Sequence, residues 1–240
     1  MAIRESFADN NGVKIHYIDS ESNDTFLTPL VICPGLSECA EDYLNLALSL
    51  YPRRVVVLSF RGRGKSESPK KGFSLEHHIG DIKAVVKMAG LQRFCLMGYS
   101  RGVSYALGFG LENPDLLKGM IVEDYPAEHK QMPKGWADEY LSFSGSTYPA
   151  NKMNPNAVLG IEEESNQLYY WNQLYKINCS VLIMHGSGSE SLLTSEQVDM
   201  YLTHWKNAKV EVFKDAGHDI QTENYDRFVE VIKNFLEVLD

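Results

Sequence analysis

The chain has 240 residues, 44% of them hydrophobic and 23% charged, with a formal net charge of −9. That length suits one domain with a sizeable core, and the composition excludes a disordered chain. The acidic balance argues against a nucleic-acid partner, because phosphate binding needs a basic surface.

Met1 to Ser6 is polar within a few residues and reads as no secretory signal. No apolar run approaches the roughly 18 residues of a membrane span, so no membrane partner is expected. The four cysteines, Cys33, Cys39, Cys95 and Cys179, show neither a CxxC nor a metal-ligand spacing. They are expected to be reduced thiols, with no metal and no disulfide framework, and a cytoplasmic location follows.

In chain order, Val13 to Ile18 alternates apolar and polar after the Asn11-Gly12 turn signal, like an antiparallel edge strand. Leu30 to Cys33, Val55 to Leu58, Phe94 to Met97, Met120 to Val122 and Val181 to Met184 are short continuous apolar runs. Such runs suit parallel strands covered on both faces. Lys209 to Phe213 is a further strand candidate. Helical patterns lie between them. Thr194 and Gln197 match a capping box, and Tyr225, Phe228, Val229, Ile232, Phe235, Leu236 and Leu239 keep the spacing of a buried stripe. The expected fold is α/β: a doubly wound, mostly parallel sheet flanked by helices over residues 1–240.

From about 126 to 167 no strand-like run occurs, and Pro, Gly, Asn and aromatic residues are frequent. So long a connection is rarely structureless in a compact domain, and it reads as a small helical cap insertion. Glu162-Glu163-Glu164 reads as the solvated start of a helix. Trp136, Tyr140, Phe143 and Tyr148 are candidate pocket walls, or else cap core.

Gly98-Tyr99-Ser100-Arg101-Gly102 fits G-x-S-x-G between a strand and a helical stretch. Strand, sharp turn and helix together make a nucleophile elbow, which holds the serine hydroxyl at the carboxyl edge of a sheet. Gly64-Lys65-Ser66 resembles the end of a P-loop, but Ser59 stands where its first glycine belongs and a loop follows instead of a helix. Gly186-Ser187-Gly188 opens a dinucleotide pattern whose third glycine is replaced by Ser191. Neither nucleotide reading holds.

Over nearly its whole length the chain resembles the α/β-hydrolase family. Cys33-Pro34-Gly35-Leu36 resembles the oxyanion loop, with Pro34 in place of the usual histidine. Phe60 to Ser66 resembles the Asp-x-Arg-Gly-x-Gly-x-Ser segment, the serine elbow comes third, and Ala216-Gly217-His218-Asp219 resembles the Gly-His loop after the last strand. The resemblance implies Ser100 as nucleophile and His218 as general base, with the backbone amides of Leu36 and Arg101 as oxyanion donors. The Arg101 guanidinium either packs within the fold or meets an acidic substrate; His77-His78 is read as structural.

The third member of the triad is ambiguous. The usual register, three residues past Gly186, lands on Ser189, which carries no charge. Glu190 is adjacent, and Asp124 ends the preceding strand candidate, where some members of the family place the acid. Strand-anchored register favours Asp124, and Glu190 stays open. The expected activity is hydrolysis of a small carboxylic ester or thioester through an acyl-enzyme on Ser100, with no cofactor and a small-molecule substrate. A carbon–carbon bond hydrolase or lyase with the same triad, and a ligand-binding relative with a decayed triad, are the alternatives. Substrate identity and oligomeric state are not legible.

Overall fold

The apolar runs become the middle of an eight-stranded sheet. The computed structural model describes residues 3–22, 24–143, 153–214 and 216–240. Its strands are β1 (Arg4–Asn10), β2 (Val13–Asp19), β3 (Leu30–Cys33), β4 (Val55–Leu58), β5 (Phe94–Tyr99), β6 (Leu117–Glu123), β9 (Ser180–Gly186) and β10 (Ala208–Phe213), with the short β7 (Glu128–His129) and β8 (Leu168–Tyr169) between β6 and β9. The sheet order is β1-β2-β4-β3-β5-β6-β9-β10. Only β1–β2 and β2–β4 pair antiparallel; the rest is parallel. Every residue of β3 and β4 is buried, as expected of strands covered on both faces.

Helices cover each face. On one side lie α2 (Leu75–Met88), α3 (Arg101–Glu112) and α6 (Ser195–His204), whose apolar residues join one core cluster. On the other lie α1 (Leu44–Ser49), the short α7 (Ile220–Glu223) and α8 (Tyr225–Leu239). The stripe Phe228, Val229, Ile232, Phe235, Leu236 and Leu239 is the buried face of α8. The expected fold class is therefore the one observed. Strand order reverses direction at β3, with β4 on one side and β5 on the other. In open α/β sheets such a switch opens a crevice at the carboxyl ends of the strands.

Sequence reading passed over β1. It pairs with β2 along its whole length, yet Ala8 alone is buried, so no apolar alternation announces it. Its turn is the expected one: Asn11 and Gly12 both have positive φ, 54° and 86°.

The segment after β6 carries β7, α4 (Trp136–Phe143), α5 (Pro155–Glu164) and β8. The antiparallel β7–β8 pair joins its two ends, although no strand-like run announces either strand. Ala137, Met153, Ala157, Val158 and Ile161 form a small apolar cluster with Phe73, and Leu36, Met132 and Trp136 pack against it. Tyr148 and the side chain of Phe143 lie outside the described residues. Glu162 and Glu164 correct an expectation: they end α5, and their carboxylates are tethers. Glu162 accepts from Gly135 N and Ala137 N at 3.0 and 2.6 Å. Glu164 accepts from Gly72 N, Phe73 N and Ser74 N at 2.8, 2.7 and 3.1 Å, joining α5 to the start of α2.

Candidate active site

Ser100 sits between β5 and α3 with φ 51° and ψ −131°. An L-residue there is strained by about 1–3 kcal/mol, a cost that surrounding structure must offset. Two glycines make the turn sterically feasible. A Cβ on Gly98 would lie 2.7 Å from Val103 Cα, and one on Gly102 would lie 2.2 Å from Cys33 O and 2.4 Å from Pro34 O. The first lets the helix fold back onto its strand. The second brings the chain leaving β3 directly against the start of α3. Ser100 N donates to Glu123 O at 3.2 Å, which fastens the elbow to β6.

His218 follows β10, in the loop before α7. Its Nε2 lies 2.9 Å from Ser100 Oγ, and its Nδ1 lies 2.8 Å from Asp124 Oδ2. A carboxylate only accepts, so Nδ1 carries the proton and Nε2 presents its lone pair to the serine hydroxyl. The ring stacks on Tyr99, centroids 4.9 Å apart. Gly217 N donates to Glu223 at the end of α7, which holds the loop.

Asp124 lies just past β6 with φ 44° and is fully buried. Besides His218 it accepts from Gly186 N at 3.2 Å, Ser191 Oγ at 2.6 Å and Leu192 N at 2.9 Å. These bonds fix the orientation of the carboxylate from the loop after β9. Glu190 is exposed; its Cβ sits 2.9 Å from where a Gly217 Cβ would be, and the far imidazole nitrogen is held by Asp124. Of the two candidate acids, the structure brings Asp124 to the histidine.

Leu36 and Arg101 lie on the two chain segments that Gly102 brings together. Arg101 opens α3, so its amide has no intrahelical acceptor. The loop carrying Leu36 is fixed by Glu38, whose Oε2 accepts from Gly35 N at 2.9 Å and Tyr43 OH at 2.7 Å. Trp136 packs with Tyr140, ring centroids 5.3 Å apart, in the same apolar cluster that Leu36 touches.

Sequence reasoning missed three neighbours. Ser191 orients Asp124 from a loop with no local signature. Tyr99 forms the floor under the imidazole. Glu123 is 1% exposed, and neither carboxyl oxygen has a hydrogen-bond partner. Burial, then the nearby acids Glu38, Asp219 and Asp124, push its pKa well above the usual carboxylate range.

A hydroxyl on a sheet-edge elbow, hydrogen-bonded to an imidazole whose other nitrogen is held by a buried carboxylate, is the arrangement of a triad hydrolase. Residues 28–163, more than half of the chain, match the alpha/beta hydrolase fold family, and the chain belongs to it. It is 23% identical to a non-heme haloperoxidase of Rhodococcus erythropolis over 95% of this chain and 97% of that one. It is 24% identical to a proline iminopeptidase of Saccharolobus solfataricus (87% and 84%) and 27% identical to a 2-hydroxymuconate semialdehyde hydrolase of Pseudomonas putida (78% of each). Its fold matches that of an esterase from Exiguobacterium antarcticum with a TM-score of 0.81, at 19% identity over 98% of this chain and all of that one. An alpha/beta hydrolase from a Medee basin deep-sea metagenome matches with 0.83, at 16% identity over 97% of each chain. No described helix is long and apolar enough to cross a membrane.

Proposed function

We propose that the chain is a serine hydrolase that cleaves a small carboxylic ester or thioester through an acyl-enzyme on Ser100. The observation that carries this reading is the unbroken pair of hydrogen bonds from Ser100 Oγ to His218 Nε2 and from His218 Nδ1 to Asp124 Oδ2, 2.9 and 2.8 Å. Ser100 Oγ attacks the substrate carbonyl while its proton passes to His218 Nε2. The buried Asp124 carboxylate holds the tautomer and stabilises the imidazolium that forms. The amides of Leu36 and Arg101 receive the developing oxyanion, where one such donor is typically worth ~3 kcal/mol of barrier. The imidazolium then protonates the departing alcohol or thiol as the carbonyl re-forms. Water, deprotonated by the same nitrogen, attacks the acyl-enzyme, and Ser100 recovers its proton as the acid leaves.

The segment from 126 to 167 serves in this reading as a cap, because its apolar cluster packs onto Leu36 beside the elbow. The continuous hydrogen bonding supports a working triad over a decayed one. Among relatives that include haloperoxidase, peptidase and esterase names, the site chemistry is the guide to activity. The test is a panel of 4-nitrophenyl esters and acyl thioesters assayed with wild type and Ser100→Ala. Turnover that depends on Ser100 is expected; ester turnover surviving in the variant contradicts the assignment.

A further inference from the structure

His16, on β2, is 0% exposed, and only one of its ring nitrogens is satisfied. Nδ1 lies 3.3 Å from Ser59 Oγ, an oxygen that also accepts from Ala40 N at 2.9 Å. Nε2 is buried with no hydrogen-bond partner. A buried polar atom left unsatisfied is costly, and an orphaned ring nitrogen calls for a ligand. Two carboxylates stand around it. Glu5, on the exposed edge strand β1, is the diagonal neighbour of His16, since Phe7 is the residue directly opposite, and its Oε2 lies 3.8 Å from Nε2. Glu41 comes from the short 3₁₀ turn Ala40–Tyr43, which follows the loop carrying Leu36, and its Oε2 is likewise buried without a hydrogen-bond partner. One donor atom from each of the three residues lies within 4.8 Å of the other two. Gly64, with φ 51°, leaves this corner open: a Cβ there would meet Ser59 Oγ at 2.9 Å and stand 3.4 Å from Glu41 Oε2.

The imidazole is in the state a ligand needs. Burial, opposed by the Glu41 and Glu5 charges, holds its pKa below the usual histidine value, so the ring is neutral at pH 7 and makes no ion pair with Glu5. With Nδ1–H donated to Ser59 Oγ, the lone pair lies on Nε2, beside the carboxylates. Metal-bound histidines are held in this way, the second nitrogen giving its proton to an oxygen of the fold. Lys65 neutralises part of the cluster, its Nζ 2.6 Å from Glu5 Oε1 and 3.4 Å from Glu41 Oε1. It engages the other oxygen of each carboxylate and leaves His16 Nε2 and Glu41 Oε2 unserved. Its side chain is half exposed, so the ammonium can swing into water when a stronger cation arrives.

We propose that His16 Nε2, Glu5 and Glu41 form a binding site for a divalent transition metal of the zinc type, which ties the β1–β2 hairpin to the turn after the Leu36 loop. Such an ion accepts all three lone pairs at once and balances the two carboxylate charges, with water completing its coordination. One imidazole and two carboxylates suit zinc and its neighbours, whereas calcium takes six to eight oxygens. A tetrahedral ion with bonds of about 2.0–2.1 Å sets its donors about 3.3 Å apart. The site therefore closes on the ion chiefly through Glu5, whose side chain is half exposed and free to move. None of the three ligands belongs to the triad, so the proposal stands apart from the hydrolase reading.

The experiment titrates chelator-treated full-length protein with Zn²⁺ in a calorimeter and records melting curves with and without the ion. The expected result is one ion per chain with a Kd on the order of micromolar or tighter, and a rise in Tm, because the ion binds the folded arrangement. Glu5→Gln and Glu41→Gln each remove a ligand charge and should weaken Zn²⁺ binding at least about tenfold. Lys65→Met, which removes the competing ammonium, should tighten it. His16→Ala should abolish it; should that buried variant fail to fold, Glu5→Gln at the exposed edge strand decides. His218→Ala should bind Zn²⁺ as the wild type does, which separates this site from the triad histidine. No Zn²⁺ binding by the wild type, binding that Glu5→Gln and Glu41→Gln leave unchanged, or binding lost in His218→Ala overturns the proposal.

Discussion

Asp124 and His218, 94 positions apart in sequence, meet at 2.8 Å because β6 and β10 end at the same edge of the sheet with β9 between them. The aspartate's other contacts, Gly186 N, Ser191 Oγ and Leu192 N, come from the loop after β9. In the proposed triad the acid stands one strand earlier than the usual register, and the later loop holds it instead of supplying it.

Asp124→Asn should therefore lower kcat/KM by about 10⁴-fold, the loss expected when a triad acid is replaced by its amide and the tautomer is no longer enforced. Glu190→Gln should change it less than about threefold, since the exposed carboxylate leaves the imidazole to Asp124. Steady-state kinetics on the two variants checks both; the reverse ranking would return the role to Glu190.

Glu123 predicts a pH dependence of stability. Its folded pKa is raised above the unfolded value near 4.5, so the folded protein keeps a proton that the unfolded chain loses. Its contribution is fully present below about pH 4.5 and is lost as pH rises through the folded pKa. Glu123→Gln, which mimics the neutral acid, should match the wild type in Tm near pH 5 and exceed it progressively toward pH 9. Parallel melting curves for the two proteins across that range would show that Glu123 is not held neutral.

The proposed cap supplies a specificity test. Trp136 packs, with Leu36, against one apolar cluster, so Trp136→Ala should shift relative kcat/KM between short and long acyl chains by roughly tenfold, the scale of one or two methylene contacts. A chain-length series of 4-nitrophenyl esters measures it. An unchanged profile would confine Trp136 to the packing of the cap.

Much of this arrangement was legible because it is local. The parallel strands are continuous apolar runs, the elbow is five residues with its strand and helix beside it, and His218 follows a strand. What was not legible depends on tertiary contact. In β1 a single buried residue, Ala8, leaves no pattern. Glu162 and Glu164 read as solvated charges, whereas folding aims them at backbone amides of α4 and the start of α2. The acid stayed open between two positions, because counting from Gly186 follows a loop while the bond to His218 is made across strands.

The central claim is that Ser100 is the nucleophile, and covalent capture tests it most directly. Wild-type protein treated with a fluorophosphonate should gain one adduct by intact mass, and peptide mapping should place it on Ser100. Ser100→Ala should gain none and should lose roughly 10⁴-fold or more of its hydrolytic rate while keeping its melting transition. Labelling of Ser100→Ala at the wild-type rate, or a wild-type adduct mapped to another serine, would contradict the account.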